Sequence, residues 1–415
     1  MRFSVWAPKP RRVELELRGG RIAMTAGELG WWEAEVAAGP GDRYGYVLDG
    51  EGPFPDPRSR SQPDGVHGLS AVYEQGAFGW SDAGWTGIPI SEAIVYELHV
   101  GSFTAEGTFE AAIGRLDHLV SLGVTAVELM PVAEFSGDRG WGYDGTCLFA
   151  AHHSYGGPDG LKRLVDACHG RGLAVVLDCV YNHLGPEGNY LGRFGHYFTD
   201  RYSTPWGEAV NYDGPWSDPV RELVLENALM WLRDFHCDGL RLDAIHAIWD
   251  LSAKHLLEEL MERVRDLEDE AGRRLFVIAE SNLNDPRVVA PPARGGYGVD
   301  AQWADDIHHA IHTVLTGERD GYYEDFGEPE QLLKALRQAF VYDGIYSPHH
   351  RRRQGRRPEG IPPTAFLAFA QNHDQVGNRA AGERLSQLVP EPKLRVAAAL
   401  VLLSPFVPML FQGEE

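Results

Sequence analysis

From residue 94 onward the chain repeats one pattern: an amphipathic helix, a turn, a short apolar strand and then polar residues. The strand segments are almost continuously apolar, which is typical of parallel strands that are covered on both faces. Eight such segments follow one another: IVYELHV, VTAVELM, LAVVLD, GLRLD, LFVIAE, VDAQWAD, TAFLAFAQ and PMLFQ. Eight units in series favour an α/β fold of the (β/α)8 TIM-barrel type. A doubly wound open sheet is the alternative, although no glycine-rich phosphate-binding motif follows a strand.

The helices between these segments have recognisable end signals. The first predicted helix starts after Thr108, a good N-cap residue, and ends at Gly123, which suits a left-handed C-terminal turn. Its apolar face contains Phe109, Ile113, Leu116 and Leu119. Two further helices are predicted from about Asp159 to His169 and from Asp218 onward.

Residues 1–88 follow a different pattern. Short runs alternate apolar and polar side chains, and glycine, proline and aspartate separate them. The runs are FSVWAP, RVELELRG, WWEAEVAAG and YGYVLDG. This alternation predicts an antiparallel β-sandwich of the immunoglobulin-like or carbohydrate-binding-like kind. We therefore expect two domains, a sandwich over residues 1–88 and a barrel over residues 89–415.

Bulk properties limit the class of partner. A formal net charge of -22 disfavours nucleic acid and anionic membranes, because both would repel the chain. A neutral sugar is not repelled. The N-terminal segment MRFSVWAPKP lacks the apolar core of a signal peptide. The four cysteines show no paired metal-ligand spacing, so we expect a cytoplasmic protein with reduced, mostly buried thiols.

The most apolar stretch of the chain covers residues 396–411. It is interrupted by Pro405 and Pro408 and is shorter than the ~20 residues that a membrane span needs. We expect a buried helix followed by a buried strand, and no membrane partner.

Polar residues follow the predicted strands where each one ends. In a barrel these carboxyl ends meet at one face, where the chemistry of such folds takes place. The carboxylates at these positions are Asp178, Asp243, Glu280, Asp305 and Asp374. Burying several carboxylates together costs free energy unless they bind something or share protons. Paired carboxylates without a metal-ligand cluster suit glycosidic bond cleavage, in which one group protonates the leaving oxygen while another attacks or supports the oxocarbenium-like centre.

Four short segments resemble the signatures of the α-amylase family, glycoside hydrolase family 13. They are DCVYNH at 178–183, GLRLD at 239–243, IAE at 278–280 and NHD at 372–374, in the family's order. The resemblance implies that Asp243 is the catalytic nucleophile and Glu280 the general acid/base. Asp374 would bind sugar hydroxyls and stabilise the transition state.

The same resemblance implies a set of substrate-binding residues. His183 and His373 would donate hydrogen bonds to the sugar, Tyr143 would offer a stacking face, and Arg241 would keep the nucleophile ionised. The full predicted set is Tyr143, Asp178, His183, Arg241, His246, His373, Asp305, His308 and Trp216. For Trp216, plain packing remains an equal alternative to sugar stacking.

Metal binding is a weaker alternative at two places in the sequence. His308 and His312 are four residues apart and could form a metal pair with Asp305, but a surface or substrate contact is the favoured interpretation. Asn182 supports calcium in many α-amylases, whereas the narrower group described next is generally taken to work without it. We expect no metal and no cofactor.

A narrower resemblance covers nearly the whole chain and is to the malto-oligosyltrehalose trehalohydrolase group of that family. It is found in PDPRSRSQPDGVHG, YELHVGSFTAEGTF, ELMPVAEFSGDRGWGYDG and HHAIHTVLTGERDGYYEDFG. The resemblance implies hydrolysis of the α-1,4 bond next to the terminal trehalose of malto-oligosyltrehalose, releasing trehalose. It also implies functional pairing with a malto-oligosyltrehalose synthase in trehalose biosynthesis.

Two other functions stay open at the level of sequence. Glycogen branching enzymes share the sandwich, YELHVGSF and MPVAE, and they transfer the glycosyl group to a sugar hydroxyl. A non-catalytic glucan-binding protein would use the barrel only as a scaffold and would not need all three carboxylates. Family members continue beyond the eighth strand with a final helix and a C-terminal β-domain. We therefore expect this chain, which stops at residue 415, to be a fragment of a longer polypeptide.

Overall fold

The computed structural model describes residues 1–415. Its first eight strands form two antiparallel sheets, as the predicted sandwich requires. The strands are β1 (Arg2–Trp6), β2 (Val13–Leu17), β3 (Gly20–Ala23), β4 (Thr25–Ala26), β5 (Trp31–Glu35), β6 (Arg43–Leu48), β7 (Glu51–Phe54) and β8 (Ser70–Ala71). One sheet has the order β1-β5-β4, and the other has the order β3-β2-β6-β7 with β8 beside β6.

Alternating side chains join these two sheets through a common core. Strand β2 buries Val13, Leu15 and Leu17 while the glutamates between them are half-buried, which is the period of two that a strand with one covered face requires. Phe3 of β1 meets Tyr44 of β6 edge-on, with ring centroids 4.9 Å apart. The aromatic contact therefore links a strand of one sheet to a strand of the other.

The remaining strands include a closed parallel barrel. In chain order they are β9 (Val95–Leu98), β10 (Ala126–Leu129), β11 (Ala133–Glu134), β12 (Cys147–Ala151), β13 (Ala174–Cys179), β14 (Phe198–Thr204), β15 (Gly207–Val210), β16 (Gly239–Leu242), β17 (Phe276–Ala279), β18 (Ala301–Trp303), β19 (Tyr346–Ser347), β20 (Arg352–Arg353), β21 (Phe366–Ala368) and β22 (Val407–Phe411). The barrel order is β9-β10-β13-β16-β17-β18-β21-β22, with β22 pairing back to β9. Each of the eight predicted segments supplies one barrel strand, so the TIM barrel is confirmed and the open sheet is wrong.

Helices connect the barrel strands. They are α1 (Val100–Phe103), α2 (Phe109–Ile113), α3 (Leu116–Leu122), α4 (Gly157–His169), α5 (Leu191–Phe194), α6 (Ser217–Arg233), α7 (Leu256–Ala271), α8 (Asp305–Thr316), α9 (Pro329–Gln338), α10 (His373–Gly377), α11 (Leu385–Leu388) and α12 (Glu391–Leu402). Thr108 caps α2 by accepting a hydrogen bond from the Ala111 amide at 3.2 Å. The predicted single helix is divided into α2 and α3 at Gly114, a residue that disfavours helix interiors.

The apolar segment 396–411 differs in part from its prediction. Strand β22 buries alternate residues, but α12 buries only Ala397 and Val401, while Val396 and Leu402 are 48% and 46% exposed. The expectation of a buried helix is therefore wrong for α12. None of the helices combines the length and the apolar composition that a membrane crossing requires.

The state of the cysteines and the position of the domain boundary were both predicted from the sequence. All four cysteines are buried and carry free thiols, as expected. The two antiparallel sheets end by Ala71 and the first barrel strand begins at Val95. The assignment of residues 1–88 and 89–415 as separate domains stays a prediction.

Candidate active site

Arg241 brings three of the predicted carboxylates together. It lies on β16, is fully buried, and is the register partner of Asp178 on β13. Its Nη1 donates to Asp178 Oδ2 at 2.7 Å and to Asp243 Oδ1 at 2.9 Å. Its Nη2 donates to Glu280 Oε2 at 2.7 Å. Because the parallel strands β13, β16 and β17 are neighbours, their carboxyl ends place all three acids around one guanidinium.

Asp243 is held in its ionised form. Burial by itself raises the pKa of this carboxyl, but Arg241 and a hydrogen bond from Asn182 outweigh burial and leave the pKa of Asp243 lowered. The Asn182 amide donates to Asp243 Oδ2 at 2.7 Å and also to the Asp243 carbonyl at 2.8 Å. This carboxylate is therefore both negatively charged and fixed in orientation.

Glu280 has the opposite electrostatic state. Burial raises the pKa of Glu280 well above its ordinary value, and the negative charges of Asp243 and Asp374 raise it further against the effect of Arg241. The backbone amide of Ala244 also donates to Glu280 Oε2, at 2.8 Å. The pKa values of two neighbouring carboxyls are thus shifted in opposite directions, which is the arrangement that general acid chemistry beside an ionised partner requires.

Asp374 faces an open cavity that it shares with Glu280. The cavity has a volume of about 280 Å³, and Asp305 and His246 also line it. The Asp374 side chain is 41% exposed, so this carboxylate is accessible to a ligand. Burial, together with the charges of Asp374 and Asp306, raises the pKa of Asp305 to about 7.

Tyr143 and His373 form a stacked pair beside Asp178. Their ring centroids are 4.9 Å apart at an interplanar angle of 24°, and the Tyr143 hydroxyl donates to Asp178 Oδ2 at 2.7 Å. Burial raises the pKa of Asp178 to about 6 although Arg241 opposes the rise. His373 Nε2 lies 3.5 Å from Asp374 Oδ1, so this pair adjoins the carboxylate that faces the cavity.

His183 is attached to the same network through Asn182. Its Nδ1 pairs with Asn182 Oδ1 at 2.5 Å, and its ring stacks on Trp206 with centroids 4.5 Å apart. Burial lowers the pKa of His183 and that of His246. Both imidazoles are therefore neutral at neutral pH.

Two predicted substrate-binding residues are not brought to this site. Both ring nitrogens of His308 are occupied, Nδ1 by the Ala370 carbonyl at 2.7 Å and Nε2 by the Tyr323 hydroxyl at 2.8 Å. The next residue on α8, His309, lines the cavity instead, since successive helical residues point about 100° apart. Trp216 precedes α6, is 45% exposed, and does not line the cavity.

A metal pair at His308 and His312 is also not supported. The His308 nitrogens are already paired, and His312 Nε2 binds Glu318 Oε2 at 2.7 Å. The residues that could hold a cation lie elsewhere: ligand atoms of Glu134, His152 and His153 all fall within 4.8 Å of one another. That trio is partly satisfied internally, because His153 Nδ1 pairs with Glu134 Oε1 at 2.7 Å.

Most residues of the cavity wall were not predicted from the sequence. The wall residues that it did not name include Asn284, Tyr322, Asp325, His349, His350 and Asn378. Several of them belong to the connection between β18 and β21, where no periodic pattern indicates which side chains turn inward. Glu97 and Glu128 were also missed, although a glutamate inside an apolar strand segment is a visible signal.

A closed eight-stranded barrel with paired carboxylates at the ends of its strands is an arrangement that suits a glycoside hydrolase, and the family profile described as Alpha amylase, catalytic domain matches residues 54–204. A protein from Arthrobacter ramosus named malto-oligosyltrehalose trehalohydrolase is 54% identical over 420 residues, covering 100% of this chain and 73% of that relative. The chain therefore belongs to the malto-oligosyltrehalose trehalohydrolase family.

Two further similarities, one to a solved structure and one to a branching enzyme, can be compared with this one. A crystal structure of a candidate α-amylase from Salmonella typhimurium has a TM-score of 0.95 at 45% identity, covering 100% of this chain and 71% of that one. A protein from Salinibacter ruber named 1,4-alpha-glucan branching enzyme is 32% identical over 356 residues, which cover 72% of this chain and 56% of that relative. The similarity to the branching enzyme is thus lower and partial.

Proposed function

We propose that the chain hydrolyses the α-1,4-glucosidic bond next to the terminal trehalose of malto-oligosyltrehalose and releases trehalose with retention of configuration. The observation that carries the chemistry is that Asp243 and Glu280 share Arg241 while their pKa values are shifted in opposite directions, that of Asp243 downward and that of Glu280 upward. The substrate class is taken from the relatives' name.

In the first step the Asp243 carboxylate attacks the anomeric carbon and forms a β-glycosyl ester. The proton of Glu280 passes to the glycosidic oxygen, so the bond to the trehalose unit breaks and trehalose leaves as a neutral alcohol. In the second step ionised Glu280 takes a proton from water, which attacks the same carbon and releases Asp243. Both carboxyls return to their starting states.

The remaining residues support this reaction by binding the sugar. Asp374 and His373 would contact hydroxyls of the glucose ring that is cleaved, and Tyr143 would cover one face of that ring. Asp178, His183 and His246 would complete the subsite, with Asp305 facing the adjoining sugar. His308 is left out of this proposal because both of its ring nitrogens are hydrogen-bonded within the protein. Trp216 is left out because its ring stacks on His196 and not on a residue of the network around Arg241.

A glycogen branching enzyme is the second candidate because it uses the same carboxylates. The difference is the acceptor, which is water for hydrolysis and a sugar hydroxyl for transfer. The higher identity and fuller coverage of the trehalohydrolase relative favour water. We further propose α-glucans as the general ligand class, a cytoplasmic location, and a malto-oligosyltrehalose synthase as the supplier of substrate.

Incubation with maltotriosyltrehalose tests the proposal directly. The expected products are trehalose and maltotriose, and Asp243→Ala and Glu280→Gln should each remove turnover. Asp300→Asn is the matched control, because Asp300 pairs with Arg265 on α7 rather than with the site. Branched glucan formed from amylose without trehalose release would contradict the proposal and favour the transferase.

A further inference from the structure

Glu97 makes two contacts to His373 from inside the barrel. It lies on β9 and is fully buried. One carboxylate oxygen pairs with His373 Nδ1, and the other accepts a hydrogen bond from the His373 backbone amide at 3.2 Å. The side chain and the backbone of one residue are therefore held by a single carboxylate, which leaves His373 Nε2 directed toward Asp374.

The nearest other carboxylate is that of Asp374, which lies 3.5 Å from His373 Nε2 and is 41% exposed, whereas Glu97 is fully buried. The further titratable or charged groups that face it are Arg241, Asp243, Asp374, Tyr143, Glu128 and His99. Arg241 is already shared among Asp178, Asp243 and Glu280, and it repels a second cation. A buried imidazolium at this position needs a counterion of its own, because an unpaired buried charge is costly.

We propose that Glu97 is a positioning residue that holds His373 as an imidazolium and directs its Nε2–H toward the sugar bound beside Asp374. This inference rests on the proposed function, since the sugar is the ligand that the hydrogen bond serves. Glu97 touches neither the substrate nor the reacting carboxyls.

The electrostatic balance at His373 agrees with this geometry. Burial alone lowers the pKa of His373, but the charge of Glu97, with that of Asp374 and the Glu97 hydrogen bond, raises this pKa to about 9. The Nε2–H donor is therefore present throughout the neutral range.

Glu128 provides a comparison within the same layer of the barrel. It lies on β10 as the register partner of Glu97 and is equally buried, but neither of its carboxyl oxygens has a hydrogen-bond partner. Burial, with the nearby Glu97 charge, raises the pKa of Glu128 well above its ordinary value. The raised pKa and the lack of hydrogen-bond partners both favour its neutral form, which glutamine imitates.

The test compares Glu97→Gln with Glu128→Gln in the full chain, using maltotriosyltrehalose. Without the Glu97 charge, the pKa of His373 should return to its ordinary value of 6.5 or below. Near pH 8 the protonated fraction then falls from about 90% to about 3%. We expect kcat/KM of Glu97→Gln to be roughly 30-fold below the parent there, and to approach it near pH 5.5. Glu128→Gln should stay within about 2-fold of the parent throughout.

A spectroscopic measurement separates this inference from the proposed function. The His373 ring in histidine-labelled protein, assigned with His373→Gln, should titrate near pH 9 in the parent and below pH 7 in Glu97→Gln. Equal titration in both proteins, or an equal alkaline loss in Glu128→Gln, would overturn the inference. Absence of trehalose release by the parent would instead refute the proposed function, because the ring titration does not depend on turnover.

Discussion

Replacing Arg241 by methionine tests whether one guanidinium organises the site. The change removes the donor that Asp178, Asp243 and Glu280 share and leaves buried carboxyls without their counterion. Removing one partner of a buried ion pair typically costs about 3–5 kcal/mol, so the free energy of unfolding should fall by about that amount at neutral pH. The guanidinium of Arg241 also lies 4.1 Å from the centre of the Trp303 ring, and loss of this cation–π contact should lower the free energy of unfolding further.

The pH dependence of catalysis should change in a specific direction. Arg241 holds the pKa of Asp243 down and opposes the rise in the pKa of Glu280. Its removal therefore raises both values, and both limbs of the kcat/KM profile should move to higher pH. Loss of the hydrogen bond from Arg241 to Asp243 alone, worth about 1.5–3 kcal/mol, should lower the maximum of kcat/KM roughly 10- to 150-fold. Arg241→Lys should be intermediate, because one ammonium cannot match the two-pronged guanidinium.

Arg265→Met is the matched control for this experiment. Arg265 also binds two acids, Glu268 and Asp300, but it lies on α7 away from the cavity. We expect thermal unfolding to report a loss of stability in both variants, while stopped assays across pH report a shifted profile only for Arg241→Met. An unshifted profile in that variant, or an equal shift in Arg265→Met, would refute the reasoning.

Two further predictions concern stability. Because burial raises the pKa of Asp305 to about 7, the protonated side chain is favoured in the fold, and stability should decline as pH rises from about 4 to 7. The free energy of unfolding of Asp305→Asn should therefore exceed that of the parent by about 1–2 kcal/mol near pH 8 and should equal it near pH 4. An equal gain in stability at both pH values would argue against this reasoning. Thr108→Ala removes the cap of α2 and should lower the free energy of unfolding in urea by about 1 kcal/mol. The control variant Thr25→Ala changes an exposed residue and should have little effect. Equal losses of stability in the two variants would contradict the capping argument.

The barrel was predictable from sequence because two independent signals coincide. The apolar runs give the strands, and the polar residue at the end of each run gives the face where the chemistry lies. Parallel register then forces convergence: Asp178 and Arg241 are far apart in sequence, yet they are register partners on adjacent strands. The short strands β3, β4, β7 and β8 were not predicted, because two to four residues are too few to show alternation.

The site was less predictable where side-chain direction decides. His308 and His309 are adjacent, and the sequence offers no reason to choose between them until the rotation of α8 is known. The structure turns His308 toward Ala370 and His309 toward the cavity. Burial, followed by the charges of His312, His349 and His350, lowers the pKa of His309 to about 3. This imidazole is therefore a neutral group in the cavity wall.

The catalytic carboxylates and the cavity wall are built from different parts of the fold. Strand ends fix Asp243 and Glu280 around Arg241, and that arrangement is the same whether water or a sugar accepts the glycosyl group. The acceptor must approach from the cavity, whose wall includes Tyr322, His349 and Asn378, none of which lies on a barrel strand. Exchanging this wall should therefore change the acceptor and the leaving sugar while the protonation states of the two carboxyls, set by Arg241 and burial, stay as they are.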